Sequence, residues 1–343
     1  MNLSVETDKT FQLSVGGELR AAEQFIDVVN PATGETIACA PIATQVNLND
    51  AVERASEAAR ALARDEESRR RALALAAQVV KTNMERLAST LSLEIGLPYK
   101  LAEMEVIGAA AFLDYRANET TTQDIIADND NQRIYVRRTA IGVTGAILPW
   151  NAPLLVASEK LATALAAGNP VIMKPSALAP LTVLTLGSLL ADILPKGWLS
   201  VLPGHDELGK ALVAHPDVGM ISFTGSITAG QAIMAAAASG LKRLSLELGG
   251  NDAAIVLSDA DIENIARKLF MGAFFRTGQI CVAIKRLYVH EAIHDALVAR
   301  LKVIAESNVL GDPFDPATTM GPISNRAQFE RVKDLVERSM AMG

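Results

Sequence analysis

The pattern of apolar and polar positions divides the chain into three stretches. Up to residue 45, short alternating runs are separated by turn residues, with Asn30-Pro31-Ala32-Thr33-Gly34-Glu35 the strongest turn signal. This predicts short strands. From Asn47 to about Asn118 the spacing becomes helical. Val52, Ala55, Ala59 and Leu62 share one face, and Asn47 or Asn49 is placed to cap the start. Two more helices are expected over 67–91 and 99–116, separated by Gly96-Leu97-Pro98. Residues 119–138 break the period and read as a hairpin whose second strand, Arg133-Ile134-Tyr135-Val136-Arg137-Arg138, is charged and alternating. An exposed edge of that type can pair with another subunit.

From residue 140 the chain alternates regularly. Strand-like runs at 141–148, 171–173, 199–202, 220–223 and 243–246 are separated by helix-like runs at 154–167, 181–193, 208–215 and 227–238. Short apolar strands alternating with amphipathic helices predict right-handed βαβ units and a parallel sheet, an α/β fold. A second α/β run follows, with strands at 253–257 and 286–290 and helices at 262–275 and 293–306. Gly311-Asp312-Pro313 and Met320-Gly321-Pro322 are turns before a last helix at 326–340.

Composition narrows the function. Half the residues are hydrophobic, enough for a large core. The net charge is -7 and the charges are scattered, which argues against nucleic acid and against a membrane surface as partners. The apolar stretch 140–157 is broken by Pro149 and Pro153 and is too interrupted for a membrane span. The first eight residues carry no basic segment and no apolar core, so no secretory signal is expected. Two cysteines far apart make no disulfide framework, and a reducing, cytoplasmic setting is the expectation.

The candidate chemistry lies where the predicted strands end, because a parallel sheet binds ligands beyond the carboxyl ends of its strands. Leu148-Pro149-Trp150-Asn151 follows the first strand, Lys174-Pro175-Ser176-Ala177 the second, Gly204 to Gly209 the third, Phe223-Thr224-Gly225-Ser226 the fourth and Glu247-Leu248-Gly249-Gly250 the fifth. A helix opening at Gly225-Ser226, with Gly230 one turn in, offers free N–H groups suited to a pyrophosphate. Lys174 can bond ribose hydroxyls or pair with a phosphate, and the Asn151 amide can stabilise an oxyanion. Singly these are weak signals. There is no Gly-x-Gly-x-x-Gly, and Gly225–Gly230 lacks the Lys-Ser/Thr of a phosphate-binding loop.

Cys281 follows the turn Thr277-Gly278-Gln279. A lone cysteine is most often an inert core residue. The turn favours an accessible thiol instead, and a free thiol is already partly thiolate at neutral pH. Glu247 reads as its base: the adjoining glycines let backbone approach a ligand closely, and a carboxylate in a half-dry cleft can take a proton near neutral pH. Cys39 reads as a small core residue with no role. His290-Glu291-Ala292-Ile293-His294 matches the zinc pattern H-E-x-x-H, but His290 ends a strand and His294 lies in the next helix, so no metal is assigned.

Together these motifs resemble the aldehyde dehydrogenase superfamily, and the resemblance runs from Asn30-Pro31-Ala32-Thr33-Gly34-Glu35 to Met320-Gly321-Pro322. It implies an aldehyde dehydrogenase-like α/β fold. A Rossmann-type dinucleotide-binding domain would comprise residues 1–118 and 139–246. The hairpin arm 119–138 would serve oligomerisation, and residues 247–343 would form an incomplete catalytic domain. It implies oxidation of a small-molecule aldehyde with NAD or NADP by the hydrolytic, acid-forming route. Cys281 is then the nucleophile, forming a thiohemiacetal and a thioester. Asn151 and the Cys281 N–H hold the oxyanion, and Glu247 activates water. The cofactor-binding set implied is Leu148, Pro149, Trp150, Lys174, Ser176, Ala177, Gly209, Phe223, Gly225, Ser226, Gly230, Leu248 and Gly249. A homo-oligomer, dimer or tetramer, is expected of the full-length protein.

Three departures from the family pattern bear on this reading. Ala177 stands where NAD-preferring members often carry glutamate, which favours NADP, whereas Asp206 and Glu207 disfavour its extra phosphate. Family members continue past residue 343, so the resemblance implies a fragment or truncated relative with impaired cofactor positioning and an exposed apolar surface. The alternatives are a CoA-acylating aldehyde dehydrogenase, a catalytically impaired chain that only binds the dinucleotide, and a cysteine hydrolase. The last needs a histidine by the thiol.

Overall fold

The structure, a computed structural model, describes residues 11–120 and 124–342. The first eight residues, read as free of a secretory signal, lie outside the described residues, as do 121–123 at the base of the predicted hairpin.

Strands β1 (Leu13–Val15) and β2 (Glu18–Arg20) form one hairpin, and β3 (Phe25–Val29) and β4 (Thr36–Pro41) a second. The predicted turn joins β3 to β4, where the Asn30 side chain accepts from Ala32 N at 2.9 Å. Four helices follow: α1 (Gln45–Arg64), α2 (Glu66–Thr82), α3 (Met84–Ile95) and α4 (Tyr99–Asn118). Two boundaries differ from expectation. The cap of α1 is Thr44, whose hydroxyl accepts from Asn47 N at 3.3 Å while the Asn47 side chain accepts from Thr44 N at 2.9 Å. Asn47 is thus the inner partner of a capping box, and not the cap. The single helix expected over 67–91 is two, α2 and α3. The Asn83 side chain donates to Val79 O at 2.8 Å, and this local bond competes with continuation of the helix.

The hairpin β5 (Asp124–Asn129) and β6 (Gln132–Val136) is antiparallel, with Ile125, Ile126, Ile134, Tyr135 and Val136 exposed. Next come β7 (Val143–Ile147), α5 (Pro153–Ala166), β8 (Val171–Lys174), α6 (Leu181–Leu190), β9 (Leu199–Val201), α7 (Asp206–Ala214), β10 (Val218–Thr224), α8 (Ile227–Ala238) and β11 (Arg243–Glu247). All five expected strands are present and pair in parallel. The sheet has seven strands in the order β11-β10-β7-β8-β9-β1-β2. The last two were not expected there. β1 closes the edge antiparallel to β9, burying Leu13 and Val15.

One apolar core joins α2 to α6 on one face of the sheet, and a second beneath α1, α7 and α8 covers the other. The two-faced burial explains why the strands read as continuous apolar runs. Strands β12 (Asp252–Val256) and β13 (Ile284–Val289) form a separate parallel pair, with α9 (Ile262–Phe274) and α10 (Glu291–Glu306) packed together around Val256, Ala266, Phe270, Leu297 and Ile304. Helix α11 (Arg326–Met342) ends the described chain and has no buried side chain. Among the described residues no helix is long and apolar enough to cross a membrane.

Candidate active site

Strands β8 and β9 lie to one side of β7, and β10 and β11 to the other. The chain therefore reverses its winding direction between β7 and β10. Such a switch point opens a crevice beyond the strands' carboxyl ends. The predicted residues converge there. Asn151 follows β7, Lys174 ends β8, Gly209 lies in the first turns of α7, Ser226 caps α8 after β10, and Glu247 ends β11.

Cys281 is exposed, as an accessible nucleophile requires. The turn before it, Phe275–Gly278, is unusual. Arg276, Thr277 and Gly278 all have left-handed backbone angles, with φ of 53°, 60° and 72°. Each such non-glycine residue costs on the order of 1–3 kcal/mol and persists only where its surroundings over-determine it. Here both side chains are tied down. Thr277 Oγ1 donates to Gly321 O at 2.9 Å, and the buried Arg276 guanidinium donates to Asn151 O at 2.8 Å and pairs with Glu105. Gln279 completes the anchorage: its Nε2 donates to Pro322 O at 3.2 Å and its Oε1 accepts from Ser324 N at 2.9 Å.

Asn151 is brought to the same turn. Its Nδ2 donates to Gln279 O at 2.7 Å, two residues before the thiol and 128 residues away in sequence. An amide carries two N–H donors. One is held by the Gln279 carbonyl, which fixes the plane of the amide.

The loop that follows Glu247 at the end of β11 reaches Cys281. A Cβ on Gly250 would stand 2.3 Å from Cys281 O, so the loop after Glu247 lies directly against the Cys281 backbone. Lys285 clasps this junction: its ammonium donates to Cys281 O at 2.5 Å and Ile280 O at 3.1 Å, and lies 3.8 Å from the Asp252 carboxylate. Glu247 itself is exposed rather than half-buried, because β11 is the edge strand of the sheet. The half-dry surroundings expected for it are absent.

The proposed cofactor residues divide by what their side chains do. Lys174 is buried, and among the described residues its ammonium has one long hydrogen bond, 3.4 Å, to Pro175 O. Burial pushes its pKa down from the ordinary lysine value, opposed by the charge of Asp206. A buried cation so weakly partnered has donors to spare for hydroxyls or phosphate. Gly209 leaves room beside it: a Cβ there would come within 3.4 Å of Lys174 Cδ. Ser226 Oγ accepts from Ala229 N at 3.2 Å, and Gly230, packed beneath Leu248, lets the first turn of α8 sit close to the β11 loop. The residues therefore fit a dinucleotide. The side chains of Leu148, Pro149 and Phe223 are buried, which leaves only their backbone open to a ligand in the proposed set. Trp150 is half-buried against the first core, and Ser176 Oγ accepts from Leu178 N at 3.2 Å. Ala177 is half-buried, and Gly249 is exposed in open space.

Four charged residues at the site escape the sequence reading. Glu105 and Arg276 form the buried pair described above, and Lys285 holds the Cys281 carbonyl. Lys160, on α5, donates to Ser222 Oγ at 2.8 Å. Burial lowers its pKa, opposed by Glu159 and Glu247, so Lys160 lies within electrostatic range of the proposed base. For Lys160 the available signal is a charged residue inside an apolar helix run. The zinc-like histidines are otherwise engaged: His290 Nδ1 accepts from Ala292 N at 3.2 Å at the start of α10, and His294 bonds Asp295 at 2.8 Å.

The model of the aldehyde dehydrogenase family matches residues 19–343. The chain belongs to the aldehyde dehydrogenase family. A probable aldehyde dehydrogenase from a Pseudomonas species is 35% identical over 335 residues, which is 97% of this chain and 68% of that protein. The NAD+ complex of an aldehyde dehydrogenase from Bacillus cereus has a TM-score of 0.95 at 30% identity, covering 100% of this chain and 72% of that one. An NADP dependent enzyme of E. coli gives 0.94 at 30% identity, covering 99% and 73%. Oxidation of an aldehyde is thus the chemistry this aldehyde dehydrogenase site has to perform.

Proposed function

We propose that the chain oxidises an aldehyde to the carboxylic acid with NAD or NADP through covalent attachment to Cys281. The observation that carries this reading is the Asn151 amide held 2.7 Å from Gln279 O, beside the turn that presents the exposed thiol. Cys281 Sγ adds to the carbonyl carbon. The oxyanion so formed is stabilised by the Asn151 amide and the Cys281 N–H. When bound, the nicotinamide supplies the hydride acceptor. Glu247 then takes a proton from the water that releases the acid from the Cys281 thioester. Lys174 would hold ribose hydroxyls and the α8 N-terminus at Ser226 would hold the pyrophosphate, with Trp150 and Leu248 beside them.

In this reading residues 1–118 and 139–246 bind the dinucleotide, and 247–343 carry the nucleophile. The hairpin arm, with Ile125, Ile126, Ile134, Tyr135 and Val136 exposed, pairs with a second copy. A carboxylate placed to activate water favours hydrolysis over transfer to CoA. Substituting Cys281→Ala should abolish aldehyde-dependent cofactor reduction while leaving dinucleotide affinity nearly unchanged. Retained oxidation in that variant sinks the mechanism. A product assay with and without CoA separates free acid from acyl-CoA.

A further inference from the structure

The amide and the thiol come from parts of the chain 130 positions apart, and a buried ion pair joins them. The Glu105 side chain is wholly buried and that of Arg276 nearly so. Glu105 Oε1 accepts from both Leu154 N and Leu155 N at 3.0 Å, capping the start of α5 just beyond Asn151. Its other oxygen pairs with Arg276 Nη2, and Arg276 Nη1 donates to Asn151 O at 2.8 Å. The Asn151 amide returns the contact to Gln279 O at 2.7 Å. The result is a closed ring. Backbone of the amide turn is held by a side chain of the thiol turn, and backbone of the thiol turn by the amide side chain.

We propose that Glu105 and Arg276 are positioning residues that set the Asn151 amide relative to Cys281. The inference rests on the reading of those two as oxyanion donor and nucleophile. The planar guanidinium fork suits the task, because two of its nitrogens reach Glu105 and Asn151 at once. A single ammonium at the end of a flexible stem cannot reproduce that geometry. The left-handed backbone of Arg276 belongs to the same device. It turns the side chain inward to the ring while the chain continues outward to Cys281.

The test uses the whole chain without cofactor and a reversible chemical step. Cys281 Sγ adds to 4-nitrobenzaldehyde: the S–C bond forms, the carbonyl π bond breaks, and the thiol proton ends on the oxygen. No electrons are transferred overall, and loss of the conjugated carbonyl absorbance reports the adduct. Arg276→Lys, Glu105→Gln and Asn151→Ala should each weaken the adduct at least tenfold. Adding Arg276→Lys to Asn151→Ala should weaken it by less than a further threefold, since an absent amide cannot be misplaced. Circular dichroism and thermal melts establish that each variant is folded. If Glu105→Gln does not fold, Glu105→Asp shortens the reach by one methylene and carries the same expectation. A folded Arg276→Lys with unchanged adduct affinity, or effects that multiply in the double variant, overturns the proposal. Cys39, exposed rather than in the core as its sequence suggested, is replaced by Ser in every variant, so that an adduct persisting in Cys281→Ala overturns the underlying functional reading instead.

Discussion

Gly250 lies so close to Cys281 that a Cβ on it would stand 2.3 Å from the Cys281 carbonyl oxygen. The approach is backbone against backbone, so no side-chain rotation relieves it. Gly250→Ala is therefore expected to displace the nucleophile. A displacement near 1 Å at a reacting group can cost about 100-fold in rate. We expect kcat to fall at least tenfold while dinucleotide affinity, which the proposed function assigns mainly to Lys174 and Ser226, changes far less. Steady-state kinetics with a cofactor titration checks this, and an unchanged kcat contradicts it.

Most of the fold is legible in the sequence, for a physical reason. Strands buried on both faces must be apolar throughout, and helices covering them must be amphipathic, so the run from 141 to 247 announces its own alternation. The polar strand ends Asn151, Lys174, Ser226 and Glu247 stand out because a core has no use for them. The pairing of β1 with β9 is hidden, since a short apolar run carries no record of which distant edge it closes. Glu105 and Arg276 are hidden too. Helix α4 buries Glu105 between apolar neighbours such as Ala102 and Val106, and only its remote partners, Arg276 and the α5 amides, make that burial tolerable. Glu247 was expected to be half-dry, but its exposure follows from the position of β11 at the sheet edge, which local sequence does not encode.

Glu247 is the proposed base for release of the acid, a step that follows transfer of the hydride. Glu247→Gln removes the base but keeps the size of the side chain. We expect a burst of reduced cofactor close to one equivalent per Cys281, followed by turnover at least about 100-fold slower, within the usual contribution of a general base. Rapid-mixing measurement of cofactor reduction shows this directly. Steady turnover at the native rate without a burst would assign water activation elsewhere, with Lys160, on which the charge of Glu247 acts, the first group to examine.

Lys174 is buried and, among the described residues, has one long hydrogen bond, which leaves its ammonium donors for the proposed dinucleotide. Replacing it with methionine keeps the apolar stem and removes the donors. A hydrogen bond from a charged group contributes about 1.5–3 kcal/mol. The Lys174→Met dissociation constant for the dinucleotide should then rise by about 10- to 100-fold with little loss of thermal stability. Fluorescence titration with NAD and with NADP measures it. Equal binding by variant and parent removes Lys174 from the cofactor site.

Glu94 supplies a stability prediction whose sign is set by burial. Its carboxylate is fully buried at the end of α3 and accepts from Leu181 N at 2.7 Å, Thr182 N at 3.0 Å and the Thr182 hydroxyl, capping α6. Those bonds favour the charged form, but desolvation outweighs them, and the neighbouring charge of Glu105 adds to it; the pKa rises from 4.5 to about 7. The folded chain therefore holds this proton more tightly than the unfolded chain. The stabilisation is fully present below pH 4.5 and is lost as pH rises to about 7, above which the contribution is flat. The full loss is on the order of 3 kcal/mol, since one pKa unit corresponds to about 1.4 kcal/mol. Glu94→Gln cannot titrate, and its NH₂ faces one backbone donor, costing about 1–3 kcal/mol at any pH. Urea unfolding of parent and variant at pH 5, 6, 7 and 8 separates the two effects. The parent's advantage over Glu94→Gln should be largest at pH 5 and shrink towards pH 7. Parallel stability profiles for the two proteins would show that Glu94 does not titrate in this range.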